Sequence, residues 1–474
     1  MKRIAYIFCF LFSLLQFPLK AQENSTGKFS YDKTIADKFD LRIPKYSEKL
    51  TPTPQWFQNL DMIFSDVSPN GDNFNKPYTQ WEGYRFELKD TLVERTVRLA
   101  QLYGKVKVHE QKIVTIDGKL NGSQIEGVEL ISHGPISKTA FRQAHNKGFK
   151  AIPYLHFTDI HSDYADQDVF IFNHPEILLR DKNGRWVNLG MDGTIRMNRY
   201  LVCYNSPSFW KLSLQYVKKV MEMGADGIFI DNVGSREQEC FAPEFTKRSI
   251  EFDPYVHNHL FPDSTQNYAF DRFLQTVRNL VKSYGSDKVV ILNSGIGTRF
   301  QKNGDGCMKE SFIYSWAWKG RNQKYSWSNN KELAKKNEWF TKEGHRITAM
   351  SYLDKSRKEV KSDAFWAFAS ARLLGMIWWA NLENSNAEIL YKAHTGKELQ
   401  PLQEKDSIAY KIFENGVIVL NDTNEKRTVL IDMPKEIHHL KLLDLYDDRK
   451  PVVIEKGKLK ITVPSNSARV YLSI

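Results

Sequence analysis

From about residue 60 to 381 the chain alternates short apolar runs with longer amphipathic stretches, the pattern of strands joined by crossover helices in a parallel sheet. Eight runs predict strands, at 60–65, 128–132, 151–156, 227–230, 289–292, 306–309, 347–352 and 376–380. Helices are expected between them, among others at 138–147, 209–222, 268–284, 331–341 and 363–374. The run Gly227-Ile-Phe-Ile230 is too short for a helix and too apolar for an exposed strand, so it reads as a strand covered on both faces. Eight such strands with intervening helices predict a (β/α)8 TIM barrel over 60–385.

Two stretches do not fit one helix per crossover. Residues 69–122 include Gly104-Lys-Val-Lys-Val108, Lys112-Ile-Val-Thr-Ile116 and the turn Asp117-Gly118, and are read as a β insertion leaving the barrel. The connection at 158–207 is longer than a compact domain ordinarily carries without a functional reason. After residue 399 the texture changes to short alternating runs split by turn residues, at 408–413, 417–420, 428–431, 440–443, 452–454, 458–463 and 468–472. They predict an antiparallel β-sandwich over 400–474, expected to be a packing or accessory domain because it holds no cluster of acids.

The N-terminus reads differently. Lys2 and Arg3, the apolar run 4–17 and Leu19-Lys20-Ala21 have the three regions of a secretory signal peptide, with cleavage after Ala21 leaving Gln22 first. That run is shorter than the roughly 20 residues a membrane span needs. Cys9 lies inside the apolar run rather than at the cleavage point, which argues against a lipid anchor. An exported, periplasmic or secreted protein is expected, with residues 22–59 as an N-terminal extension and no membrane insertion after processing.

The formal charge is +11, and loss of Lys2, Arg3 and Lys20 with the presequence leaves +8. That surplus suits an acidic polymer as partner, but the charges are scattered and form no nucleic-acid footprint. Aromatic residues make up 13% of the chain, enough to stack on sugar rings as well as fill a core. Cys203, Cys240 and Cys307 are too few for a disulfide framework; one bridge, such as Cys203 to Cys240, is open, and no spacing suits a zinc site.

In a parallel barrel the strand ends converge on one mouth, so the residues that follow each run are the candidate chemistry. They are Asp66, His133, His156 with Asp159, Asp231 with Asn232, Asn293, Glu310, Tyr352 with Asp354, and Asn381 with Glu383. Any one of them could be a satisfied polar residue or a turn cap. Asp231 and Glu310 stand out, because each ends a run that begins with Asp-Gly, at Asp226 and at Asp305. Two carboxylates across a pocket are what glycoside hydrolysis needs, one to attack or activate water and one to protonate the leaving oxygen. Trp316 and Trp318 could share a face as a stacking platform, whereas the neighbours Trp378 and Trp379 must point opposite ways.

Gly224-Ala-Asp-Gly-Ile-Phe-Ile-Asp-Asn232, together with His174-Pro-Glu-Ile-Leu-Leu-Arg-Asp-Lys-Asn-Gly-Arg-Trp186, resembles the glycoside hydrolase barrels of the α-amylase and α-galactosidase superfamilies. The similarity extends over about 127–474, through Gly396-Lys-Glu-Leu399 and Phe413-Glu-Asn-Gly-Val-Ile-Val-Leu-Asn421. It implies a nucleophile after the fourth strand, Asp231, and, on the α-galactosidase pattern, an acid after the sixth, Glu310, with a retaining mechanism. The α-amylase arrangement would place its acid after the fifth strand, where this chain has Asn293, and an Arg where it has Phe229. The expectation is thus an exported glycosidase acting on a poly- or oligosaccharide without metal or organic cofactor. Two other readings stay open: a barrel that binds glycan without cleaving it, and a metal-dependent hydrolase or deacetylase using His133, His156, His161 and Asp159.

Overall fold

The computed structural model describes residues 30–47, 51–65, 112–116, 141–161 apart from 143–144 and 147–148, 175–179, 187–234 apart from 192–193, 259–313 apart from 263 and 294, 326–447 apart from 355, 381, 383 and 384, and 450–473. Eight parallel strands close into a barrel: β1 (Met62–Ser65), β2 (Lys112–Ile116), β3 (Phe149–His156), β4 (Gly227–Asp231), β5 (Val289–Asn293), β6 (Gly306–Lys309), β7 (Arg346–Met350) and β8 (Ile377–Ala380). Each pairs with its successor, and β8 returns to β1 through Met62 opposite Trp378.

Seven of these lie where the apolar runs placed them. The second does not. Lys112–Ile116, expected outside the barrel, pairs in parallel with β1 on one side and β3 on the other. Its alternation and the Asp117-Gly118 that follows mimic a hairpin arm, and a local pattern cannot register that both edges are paired with strands distant in sequence. The run at 128–132 lies outside the described residues, as do the presequence and Gly104 to Val108.

The period of two sorts the barrel side chains into two cores. Ile63, Ile152, Phe229, Val289, Ile291, Met308, Met350 and Trp379 fill the interior. The alternate positions, among them Ile228, Ile230, Leu292, Cys307, Ala349 and Trp378, face the helical shell. Trp378 and Trp379 are accordingly both core residues, one outside the barrel wall and one within it.

A short helix α1 (Gln55–Gln58) closes the end at which the strands begin. Its Phe57 is fully buried, and a Cβ on Gly306 would meet that ring at 2.8 Å. Around the wall lie α2 (Pro207–Glu222), α3 (Gln266–Ser283), α4 (Trp327–Lys336), α5 (Glu338–Lys342) and α6 (Val360–Leu373). Ser206 and Thr265 cap α2 and α3 by accepting from Phe209 N and Tyr268 N, and Pro207 sits at the first helical position, where no amide hydrogen is needed. The long connection after β3 holds a small antiparallel sheet of Asp159–His161, Thr194–Leu201 and Asn188–Met191.

The C-terminal region is a six-stranded antiparallel sheet facing a two-stranded one, Arg427–Asp432 with Lys458–Val463. In the central strands Gly416–Asn421 and Ser467–Leu472 every residue is buried. Ile418, Leu420, Val470 and Leu472 join the core shared with α6, while Val417, Val419 and Tyr471 face the two-stranded sheet, whose outer face alternates to solvent. Cys203 is a buried thiol that accepts from Gln266 Nε2 at 3.2 Å, and Cys240 lies outside the described residues. No described helix is long and apolar enough to cross a membrane.

Candidate active site

Asp231 is the last residue of β4, opposite His156, the last of β3, so the register alone delivers both to the C-terminal mouth. The same register brings Asn293, which ends β5, beside Met308 of β6, two residues before Glu310. The chain must turn sharply after each acid: Asn232 and Ser311 both take positive φ, 54° and 58°. Asn adopts that conformation readily, whereas Ser does so at some cost.

The two carboxylates share one donor. Asn293 Nδ2 donates to Asp231 Oδ1 and, at 2.8 Å, to Glu310 Oε2. An amide nitrogen carries two hydrogens, one for each acid, and two anionic acceptors fix which way the amide faces. Each carboxylate has a phenol on its other oxygen: Tyr154 donates to Asp231 Oδ2, and Tyr352 to Glu310 Oε1 at 2.6 Å. Two oxygens held by one nitrogen stand no more than two hydrogen-bond lengths apart, about 6 Å.

Burial, then the Asp231 charge beside it, raise the Glu310 carboxyl above its ordinary value, against the hydrogen bonds from Tyr352 and Asn293, which lower it. Burial and the Glu310 charge likewise push the Tyr352 phenol well above its usual range, so it donates rather than ionises. Behind Asp231, His156 Nε2 lies 3.0 Å from Asn232 Nδ2 and 3.1 Å from Asp159 Oδ1, and Thr158 Oγ1 donates to Asn232 O at 3.1 Å. These contacts hold the turn that aims the acid.

Asp231, Glu310, His156, Asp159, Asn232, Asn293 and Tyr352 are therefore one connected group. Asp354 is apart from it: the exposed carboxylate accepts from Ser356 N at 3.0 Å and Ser356 Oγ at 2.6 Å, a turn cap. Asp66, His133, Trp316, Trp318, Asn381 and Glu383 lie outside the described residues, as does the side chain of His161. Tyr154 went unread because it lies within a strand rather than after it. The available signal was its spacing of two from His156, which puts both on the inner face of β3.

The acids that begin β4 and β6 do something else. Asp226 accepts from Ala151 N at 2.9 Å, His145 Nε2 at 2.6 Å and Lys150 Nζ at 3.1 Å. Burial would raise its carboxyl, and the Ala151 amide, the hydrogen bond with His145 and the charges of Lys150 and Lys288 hold it below the ordinary value. Asp305 accepts from Val290 N at 2.8 Å and Arg278 at 2.7 Å. Both lie at the foot of the barrel and bind neighbouring backbone, so the paired Asp-Gly motifs are structural at one end and carry the candidate chemistry at the other.

No protein-family model and no curated protein matches the chain. Solved structures do. An α-amylase from Anoxybacillus, described as giving insight into a new glycosyl hydrolase subclass, superposes with a TM-score of 0.50 at 11% identity, over 88% of this chain and 98% of that one. An acarbose-bound α-amylase from Geobacillus thermoleovorans gives 0.48 at 13%, over 88% and 98%. The glycoside hydrolase domain of PelA from Pseudomonas aeruginosa gives 0.38 at 13%, over 58% and 89%. What the chain has in common with the Anoxybacillus enzyme is its fold.

Proposed function

We propose that the chain is a retaining glycoside hydrolase, with Asp231 as nucleophile and Glu310 as acid and base. The observation that carries this reading is the single Asn293 nitrogen that donates to both carboxylates. Retaining enzymes hold their carboxyl groups about 5–5.5 Å apart and inverting ones about 6.5–9.5 Å, so a pair confined within about 6 Å leaves too little room for a water between the base carboxylate and the anomeric carbon. Burial and the Asp231 charge raise the Glu310 carboxyl, a shift towards the protonated form that the first step requires.

In that step Glu310 protonates the glycosidic oxygen while Asp231 attacks the anomeric carbon, forming a glycosyl ester and releasing the aglycone. Glu310, now a carboxylate, takes a proton from water, which displaces Asp231 and restores both groups. Tyr154 and Asn293 orient the nucleophile by donating to it. Asn232 stands beside Asp231 at the same mouth and would bind a sugar hydroxyl, with His156 and the buried Asp159 supporting it from behind and a poly- or oligosaccharide as substrate. The basic balance of the chain favours an acidic one. The presequence supports export, and material from a secreting host should begin at or near Gln22.

Activity on an array of polysaccharides and aryl glycosides identifies the substrate, and Asp231→Asn and Glu310→Gln then test the roles. Each should lower turnover by about 10³-fold or more with the fold intact, since neither changes side-chain volume much. Near-native turnover in either would remove that residue from the mechanism. A barrel that only binds glycan would instead bind without turning over in the wild type.

A further inference from the structure

The chain leaves the mouth of the barrel at Ser311. Glu310, before it, bonds to Asn293 and Tyr352 at the mouth, whereas Phe312 and Ile313, after it, are buried in the core of the helical shell. Phe312 N donates to Met350 O at 2.7 Å, which ties the outgoing chain to the end of β7. Ser311 is thus the apex of the turn, one residue beyond the proposed acid.

Among the described residues, three that are neither Gly, Asn nor Asp take positive φ: Ser311 at 58°, Ser407 at 62° and Lys456 at 48°. The last two have a local reason. Asp406 and Ser407 are the two-residue turn between the strands Gln403–Lys405 and Ile408–Phe413, and Lys456 and Gly457 are the turn closed by the bridge from Glu455 to Lys458. Two-residue hairpin turns of this kind use positive φ at both central positions. Ser311 belongs to no hairpin. Its φ matches the 54° of Asn232, after the other acid, but the Asn232 amide is bonded to His156, while the Ser311 hydroxyl has no hydrogen-bond partner among the described residues. Ser213 Oγ and Thr348 Oγ1 also lack partners and are sealed in the core; Ser311 is 9% exposed and its hydroxyl is not sealed.

A strained backbone that no hairpin requires, carrying an open and unpaired hydroxyl beside a reacting group, is the pattern of a side chain set in place for a ligand. A hydroxyl both donates and accepts, which suits a sugar hydroxyl as its partner. We propose that Ser311 is a substrate-binding residue on the leaving-group side, its hydroxyl bonding a hydroxyl of the sugar released when Glu310 protonates the glycosidic oxygen. This rests on the glycosidase reading. The side follows from the chain: Glu310 is the group that meets the leaving oxygen, so the residue after it stands by the departing sugar, as Asn232, after the nucleophile, stands by the sugar that is retained.

The test compares wild type, Ser311→Ala and Ser311→Gly, each as the full mature chain, on two substrates with the same glycone: the oligosaccharide identified on the array, whose leaving group is a sugar, and its dinitrophenyl glycoside, whose leaving group carries no hydroxyl. Both substitutions should lower kcat/KM on the oligosaccharide about tenfold or more beyond any loss on the dinitrophenyl glycoside. Denaturant unfolding is the second readout: Ser311→Gly, freed of the left-handed penalty, should have a midpoint at or above that of the wild type. No loss on the oligosaccharide, or an equal loss on both substrates, would overturn the proposal, the latter because Ser311 would then act only by holding Glu310. A Ser311→Gly midpoint below that of the wild type would overturn it too, by showing that the residue serves the fold. Failure of the glycosidase reading would show separately, as oligosaccharide turnover retained in Asp231→Asn or Glu310→Gln.

Discussion

At the scale of single residues the site depends on Asn293, which neither attacks nor donates a proton to substrate yet holds both groups that would. Asn293→Ala should lower turnover by about 10²-fold, an effect of positioning, and its kcat should fall more than its KM rises. Tyr352 offers a finer test. Its hydrogen bond lowers the Glu310 carboxyl, so Tyr352→Phe should raise that group further. On the proposed mechanism Glu310 acts protonated in the first step, so the basic limb of the pH profile for kcat/KM should move to higher pH in the variant; a shift to lower pH, or none, would contradict the assignment. Asp231 was legible because it ends an apolar run with no polar interruption, and Glu310 because its run, although broken by Lys309, also begins with Asp-Gly. Tyr154 was not, since a tyrosine inside a strand reads as core until its hydroxyl partner is known. Asp354 misled for the converse reason: a carboxylate after a strand can cap its own turn as readily as face the mouth.

The elements deliver these residues through the geometry of their starting points. In β4 and β6 the Asp of an Asp-Gly pair binds the backbone of the adjacent strand, and the Gly permits close approach: a Cβ on Gly227 would lie 2.1 Å from Val289 O. Gly306→Ala would press on Phe57 and should lower stability by about 1–3 kcal/mol, measured by denaturant unfolding, with no effect on substrate affinity. The segment before β1 is held in a related way. Gln275 Nε2 and Arg278 Nη2 on α3 donate to the carbonyls of Ser47 and Thr51 at 2.8 and 2.7 Å, and Arg272 on the same helix donates to Pro44. Polar residues spaced three apart along one helix face look like a solvated surface in the sequence. Here they are buried and hold the carbonyls of Pro44, Ser47 and Thr51. The strand β2 was missed for a similar reason, as its pairing partners lie far along the chain while the signal for a hairpin lies beside it.

At the scale of the whole molecule, Asp61, which stands just before β1, ties the barrel to the connector that leads into the β-domain. It accepts from Arg372 of α6, from His394 Nδ1 at 2.9 Å, and from Thr395 N and Oγ1 at 3.0 and 2.7 Å. Burial would raise its carboxyl, but Arg372 and these partners hold it down at about 2. A depressed carboxylate stabilises the fold above its unfolded value and loses that contribution as pH falls from about 4 towards 2, here about 2 kcal/mol. His259 and His345 act in an earlier window. Burial lowers both to about 4, so the unfolded chain binds protons that the native one does not, and stability should fall as pH drops from about 6.5 to 4. Denaturant midpoints across pH should therefore decline in two stages; a flat profile between pH 6.5 and 4 would count against the two histidines. The barrel and sandwich were legible in the sequence because periodicity reports burial directly, but this junction was not, since its acid lies hundreds of residues from its arginine and its threonine.

The central claim is that Asp231 and Glu310, held on one nitrogen, form a retaining pair, and product stereochemistry tests it most directly. Proton NMR of the first sugar released from the substrate identified on the array, recorded before mutarotation, should show the anomeric configuration of the bond that was cleaved. Release of the opposite anomer as the first product would mean that water attacks directly, and would contradict the account.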